Sequence, residues 1–501
     1  MSVEKKLAAN TFYLFLNWFS ISGLSFLYWF IAGKTLNPSE YGIIATSVNF
    51  MSILSAISLL GFTTALNKLI PEYLVKNQGK IKSLIIFSVK VVSIINASIV
   101  LLLIFFSPQL SQILKTNQEV IFITAIGTIF LSFCSLYQYI LCGFQRMKKV
   151  FVSSLVGTIG KVAISLILIF LGLSYFGPLI GITIGFFITF TLSYTSFWLK
   201  IKGSQINQRQ ILSEFVLPAF VGSLAWMLFQ NSQYVILTII KNPSVTGIFA
   251  LALILSSVIH IVTNTLVTAL FPIISQLSAR GTKRKQAYLI NLVLRYSMFF
   301  TLPLGLLFIL FSRQVILIFS SVEYLSAVQF FPILIPAAII FGYGIIFLEN
   351  LYAIGKTKIH RNIVILTALT FLFTSLPLTY LFSAWGLASA YLMAVILMTV
   401  LSILFMKKYL KLGLPVKMVG KILLACLLSF GFLFVLEPIF IDFFVRTLFA
   451  VISAFLYLFI LLFLKFYTKE DVNIIRFFAN RTPSAFKKVL YSLAEFLFRF
   501  V

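Results

Sequence analysis

Charge of one sign is what this sequence most lacks. Among 501 residues there are 12 Asp and Glu against 39 Lys and Arg, and all charged residues together make up 10% of the chain. With 60% hydrophobic residues and a mean hydropathy of +1.07, there is too little polar surface to clothe a water-soluble domain. Cysteine is scarce too. Cys134, Cys142 and Cys426 are an odd number without paired spacing, in or beside apolar runs, which argues against a disulfide framework or a metal site and leaves small buried hydrophobes. There is no Asp-x-Asp and no metal or nucleotide motif, so neither a metal nor a cofactor is expected.

What is present is long apolar stretches. A membrane span takes ~20 apolar residues, and the chain offers about fourteen such runs. The formal charge of +27 would suit nucleic acid, but its placement speaks for a membrane instead. If Met1–Asn10 is cytoplasmic and the spans alternate, five cations fall outside (Lys34, Lys115, Lys241, Arg313 and Arg446). Three fall in or at the edges of spans (Lys90, Lys161 and Arg295), and the remaining 31 of the 39 are cytoplasmic. That bias puts both termini in the cytoplasm of a multi-pass plasma-membrane protein. The first run is longer than a signal-peptide core and is followed by Lys34 rather than a cleavage site, so it reads as a retained span.

One stretch occurs twice. Residues 37–45, Asn-Pro-Ser-Glu-Tyr-Gly-Ile-Ile-Ala, match residues 242–250, Asn-Pro-Ser-Val-Thr-Gly-Ile-Phe-Ala, at six of nine positions and a spacing of 205. In each copy Asn-Pro-Ser is expected to break a helix and Gly42 or Gly247 to open the next. Two echoes follow: Arg146-Met147-Lys148 and Lys356-Thr357-Lys358 at a spacing of 210, and Gly177 and Gly386 at 209. The chain thus reads as an all-α polytopic membrane protein of two repeated six-helix lobes, and such duplication points to a transporter with its site between the halves. Spans are expected near 11–33, 41–64, 83–106, 118–141, 151–171 and 175–199, then 214–238, 246–274, 290–311, 326–352, 362–382 and 386–406. An appended pair lies near 418–436 and 443–465. The expected domains are 1–200, 201–410, the extra pair in 411–467, and a cytoplasmic tail 468–501 in which the stretch from Thr482-Pro483 onward reads as an amphipathic helix on the inner leaflet.

Several of these residues carry a family likeness. Asn10 before the first span, Leu36-Asn37-Pro38-Ser39-Glu40-Tyr41-Gly42, Leu60-Gly61-Phe62 and Ile70-Pro71-Glu72-Tyr73 resemble the Wzx-type polysaccharide biosynthesis flippases, within the multidrug/oligosaccharidyl-lipid/polysaccharide exporter superfamily. The resemblance is architectural over about 400 residues and specific mainly in the first 75. It implies that spans one to six and seven to twelve form two lobes between which a lipid-linked oligosaccharide crosses. Two positions depart from the pattern: relatives often carry an aspartate where this chain has Gln233 and a tyrosine where it has Phe249, which leaves no carboxylate for cation coupling there.

Polar groups inside spans face protein or a water-filled cavity. Ser256, Ser257, His260, Thr263, Asn264 and Thr268 fall on one helical face of span eight, and Ser52, Ser55, Ser58 and Thr63 at nearly matching positions of span two. Gln230 and Gln233 add to this from span seven, and Asn17 and Ser20 from span one. Helix-to-helix bonding explains any one of these; a cavity lining explains the whole set. Lys161 lies near the midplane of span five on a face with Ser154, Gly157, Thr158 and Ser165. Its candidate task, with His260, Gln230, Gln233, Asn264, Asn17 and Ser257, is to hold the substrate. Lys90 and Arg295 lie where a long side chain can snorkel; Glu214 and Glu349, at a similar depth, are placed to pair with Lys90, and Lys90, Glu214, Glu349 and Arg295 together are the candidate inner gate.

The leading expectation is therefore a flippase for a polyprenyl-diphosphate-linked oligosaccharide. The bilayer is its medium, a polysaccharide polymerase and glycosyltransferases are candidate partners, nucleic acid is not a partner, and the protein is expected as a monomer. A lipid II flippase or a multidrug exporter of the same superfamily is the alternative, though the exporter usually needs intramembrane carboxylates that the central region lacks. A polytopic glycosyltransferase or polysaccharide polymerase is the second alternative; every outer loop is about twenty residues or shorter and the outer acids are scattered singly, so an enzyme is not expected.

Overall fold

The computed structural model describes residues 3–196, 203–410, 413, 416–436, 443–480 and the isolated positions 487, 491, 492 and 495. The stretch from Thr482 read as an amphipathic helix therefore lies almost wholly outside the described residues. The described chain is helical throughout. In the first half run α1 (Val3–Thr35), α2 (Pro38–Leu59), α3 (Phe62–Lys76), α4 (Gly79–Phe105), α5 (Ser107–Ile113), α6 (Gln118–Gly143), α7 (Met147–Phe170) and α8 (Phe176–Thr195). After the short α9 (Gln208–Ile211) and a π turn come α10 (Leu217–Ile240), α11 (Pro243–Ser257), a 3₁₀ turn at Val258–His260, α12 (Ile261–Ala279), α13 (Lys283–Leu310) and α14 (Ser312–Phe319). A 3₁₀ stretch at Val322–Phe330 leads into α15 (Phe331–Ala353), followed by α16 (Thr357–Leu410), α17 (Val416–Leu436), α18 (Phe443–Phe463) and α19 (Lys469–Ala479).

Eleven helical stretches among the described residues are long and apolar enough to cross a membrane, and the protein is a multi-pass membrane protein. Two expected spans are fused in α16, whose 54 residues break only at Ser383, φ 56°. Large apolar side chains such as Leu101, Phe105, Phe170, Phe373 and Phe463 are exposed, as hydrocarbon-facing residues are.

The repeat is visible in local geometry. Asn37 caps α2: its carboxamide oxygen accepts from the Glu40 backbone N–H at 3.0 Å, and the Glu40 carboxylate accepts from the Asn37 backbone N–H at 3.0 Å. Asn242 accepts from the Val245 amide at 2.9 Å in the same way. The helices therefore start at Pro38 and Pro243, not at the glycines. Asn at the cap and proline in the first helical position, where the missing N–H costs nothing, outweigh the expectation that Gly42 and Gly247 open the helices. The glycines serve a different purpose. A Cβ on Gly42 would overlap the Pro243 carbonyl and come within 2.9 Å of the Gly247 nitrogen; one on Gly247 would overlap the Pro38 carbonyl and come within 2.9 Å of the Gly42 nitrogen. So α2 and α11 cross backbone to backbone, through the two copies of the motif, where only glycine fits. The echo at Arg146 and Lys356 also holds: after α6 the Arg146 amide bonds the Leu141 carbonyl at 2.9 Å with Gln145 left-handed, and after α15 the Lys356 amide bonds the Leu351 carbonyl at 2.9 Å with Gly355 left-handed.

Three of the five cations expected outside sit on helix-end carbonyls, which cations suit. Lys34 donates to the Leu317 and Ser320 carbonyls at 2.7 and 3.1 Å, Lys115 to the Lys241 carbonyl, and Lys241 to the Tyr380 carbonyl at 3.3 Å.

The helices form two compact units: Met1–Leu255 with Arg313–Ile333 and Arg361–Leu397, and Ser256–Ser312 with Leu334–His360 and Met398–Val501. In the first, α2, α4 and α6 are joined by buried hydroxyls: Ser55 to Ser132 at 3.1 Å and Ser58 to the Val92 carbonyl at 3.5 Å. Those two serines bond helix to helix rather than line a cavity. In the second, α13, α17 and α18 share a core of Leu310, Ile422, Phe430 and Tyr457, joined by Phe466 just before the tail.

Candidate functional site

In the first unit Lys161 lies between three helices. Its stem, on α7, packs against α8, where a Cβ on Gly185 would come within 2.8 Å of the Lys161 Cβ. Its ammonium reaches α1, donating to Ser25 Oγ at 3.1 Å and lying 5.0 Å from the centre of the Tyr28 ring. The Tyr28 hydroxyl is turned away from it, to the Pro178 carbonyl at 3.3 Å, so the ring face is held toward the lysine. Among the described residues no carboxylate pairs with Lys161. Neither Ser25 nor Tyr28 stands out in the sequence. A serine and a tyrosine in a span are ordinary there, and only the α1–α7 packing gives them this position.

The other candidates from the first unit are less engaged. Asn17 Oδ1 and Gln233 Oε1 are buried without a partner among the described residues, while Gln233 donates to the Gln230 carbonyl at 3.1 Å. Gln230 itself is half-buried. In the second unit His260 lies in the 3₁₀ turn between α11 and α12, its ring 5.2 Å from Phe341 and its Nδ1 buried without a partner among the described residues. Ser257 is the last residue of α11, and Asn264, half-buried on α12, gives its carbonyl to the Thr268 hydroxyl at 2.8 Å. Thr268 is exposed whereas Thr263 is fully buried, so the residues grouped on one face of span eight have unlike surroundings, the 3₁₀ turn lying within that stripe.

The proposed gate residues each have local surroundings. Lys90 is exposed on α4. Glu214 takes both bonds from the Gln210 amide, at 3.2 Å each, and Glu349 lies 3.7 Å from His360 Nε2. Arg295 does not snorkel. It is buried on α13 in an ion pair with Asp471, whose other oxygen accepts from the Tyr296 hydroxyl. The Thr468 amide donates to Asp471 at 2.7 Å, Arg295 donates to the Phe466 carbonyl at 3.1 Å, and its guanidinium lies 4.5 Å from the Phe466 ring centre. A local signal for this cluster exists in Thr468-x-x-Asp471, a capping pattern before an apolar run.

Residues 7–278, more than half of the chain, match the family model described as polysaccharide biosynthesis protein. This chain belongs to that family. An uncharacterized membrane protein of Methanocaldococcus jannaschii is 23% identical over 441 residues, 82% of this chain and 86% of the relative. Among solved structures, the lipid II flippase MurJ in an inward closed conformation superposes with a TM-score of 0.72 at 17% identity, over 90% of this chain and 97% of MurJ. An inward-facing MATE family multidrug resistance transporter of the MOP superfamily superposes with a TM-score of 0.64 at 12% identity, over 78% of this chain and 94% of the transporter. These likenesses show that the chain shares the fold of those two structures.

Proposed function

We propose that this protein is a flippase that carries a polyprenyl-diphosphate-linked oligosaccharide from the inner to the outer leaflet, by alternating access between lobes 1–200 and 201–410, for cell-surface polysaccharide assembly. Membership in the polysaccharide biosynthesis family supports the substrate class. The observation that carries the reading furthest is Lys161, a half-buried cation with no carboxylate partner among the described residues. A diphosphate is the partner such a cation lacks. The direction follows from charge, since an inside-negative potential favours outward movement of an anion by ~2.3 kcal/mol per charge per 100 mV.

Two alternatives are kept for the test. The likeness to a multidrug transporter raises export of cationic compounds, against which stands Gln233 in place of the carboxylate many relatives carry. The likeness to MurJ raises lipid II. Purified protein in proteoliposomes should move a polyprenyl-diphosphate oligosaccharide between leaflets, move lipid II at least tenfold more slowly, and leave a lipophilic cationic dye where it was. Movement of the dye alone would replace the proposal with the exporter.

The proposed topology puts both termini on the cytoplasmic side of the plasma membrane and the Asn-Pro-Ser turns outside. A membrane-impermeant maleimide applied to sealed cells should label Ser39→Cys and Ser244→Cys and spare Ser484→Cys. Labelling at position 484 from outside would reverse the orientation.

A further inference from the structure

Beside the glycine crossing lies a buried hydroxyl left unpaired. Tyr41 is fully buried, its ring 5.1 Å from Trp29 and 5.8 Å from Tyr324. Two neighbouring tyrosines have partners: Tyr324 donates to the Leu36 carbonyl at 2.9 Å and Tyr28 to the Pro178 carbonyl at 3.3 Å. The Tyr41 hydroxyl has none among the described residues. Burying a hydroxyl without a bond is unfavourable, whereas an identical ring without the oxygen would carry no such penalty. The next residue, Gly42, makes the backbone contact with Gly247, so one dipeptide holds both the backbone contact of α2 with α11 and a buried hydroxyl without a partner among the described residues.

We propose that the crossing is a spring-loaded seal. The Gly42–Gly247 contact lets the outer ends of α2 and α11 close on each other. The Tyr41 hydroxyl opposes closure, because parting the two helices would admit water to it. The opposition keeps the closed arrangement from becoming a trap and sets how often it opens. The inference rests on the transport reading above for its direction, outer rather than inner. It also places the seal near Lys161: the Tyr28 ring under that lysine is 5.3 Å from Trp29, which in turn packs on Tyr41. A ligand that draws Lys161 off Tyr28 disturbs packing continuous with the seal.

The test uses the full chain with Cys134, Cys142 and Cys426 replaced by serine and a single reporter, Ala45→Cys, on the buried face one turn inside the crossing. The rate of labelling by an impermeant maleimide from outside is measured in intact cells, with protein level read in parallel. Tyr41→Phe should label about tenfold more slowly than its parent, since the penalty on closure is gone. Gly42→Ala and Gly247→Ala should each label several-fold faster, and to similar extents, because the contact is reciprocal. Opposite signs at adjacent residues are not what general loosening of the bundle gives. A Tyr41→Phe rate equal to or above the parent's overturns the inference, and so do normally expressed glycine variants that label like the parent. If the glycine variants fail to accumulate, Tyr41→Phe decides alone. Labelling needs no substrate, so failure of the seal is distinct from failure of the flippase reading, which the proteoliposome assay decides.

Discussion

Asp471→Ala is expected to destabilise the second unit by about 3–5 kcal/mol, the cost of leaving one member of a buried ion pair without its partner. Arg295 is 4% exposed and Asp471 7%. Removing the carboxylate would leave the guanidinium with the Phe466 carbonyl, a long 3.4 Å bond to Thr468 and two aromatic faces, none of which carries negative charge. It would also take the cap from α19, since the Thr468 amide and hydroxyl both donate to Asp471. The α19 segment should then detach from α13, and protease should cut between residues 464 and 469 in detergent-solubilised protein, where the parent resists. The charge explanation makes a second demand. Adding Arg295→Met to Asp471→Ala should recover a good part of the lost thermal stability, because an apolar side chain of similar length leaves no charge to compensate. If the double variant melts no higher than Asp471→Ala alone, the pair matters for its geometry and not for its charge.

How far the sequence anticipates these features depends on the reach of the interaction. Helix positions and caps are local. Asn37 and Asn242 before proline stop one helix and start another by chemistry contained in four residues, and the α6 and α15 turns repeat for the same reason. The task of the glycines in that motif is not legible locally, because their partner lies 205 residues away and no local rule says that two helices meet there. The same holds for charge. Depth along a span singled out Lys161, which composition makes conspicuous, but Ser25, 136 residues away, acquires its place only when α1 packs on α7. Depth alone makes Arg295 a snorkelling residue and a gate candidate, yet its partner comes from the tail, 176 residues on. Here the local pattern Thr468-x-x-Asp471 marks a helix start, but it does not reveal that the capping carboxylate also meets an arginine.

Lys161→Met is expected to abolish surface glycan export, or nearly so, while the protein still accumulates. The ammonium sits where insertion of a charge costs at least ~2.5–3.5 kcal/mol. One hydrogen bond from a charged group returns about 1.5–3 kcal/mol and a partly desolvated cation–π contact about 0.5–2 kcal/mol. Ser25 and Tyr28 therefore offset the cost without saturating the charge, which is how a cation is stored for an incoming anion. A bound diphosphate would offer several charge-assisted bonds in place of one neutral hydroxyl. Methionine keeps most of the stem that packs on Gly185 and removes only the charge, so it separates electrostatics from packing, which Lys161→Ala does not. Lys161→Arg should retain part of the activity, since the charge remains but a planar fork replaces a compact head. The measurement is surface glycan in a strain lacking its own flippase, with membrane protein level followed alongside. Export at the parental rate from a normally expressed Lys161→Met variant would remove Lys161 from the substrate path and leave Ser25 and Tyr28 as the packing of an incidental lysine.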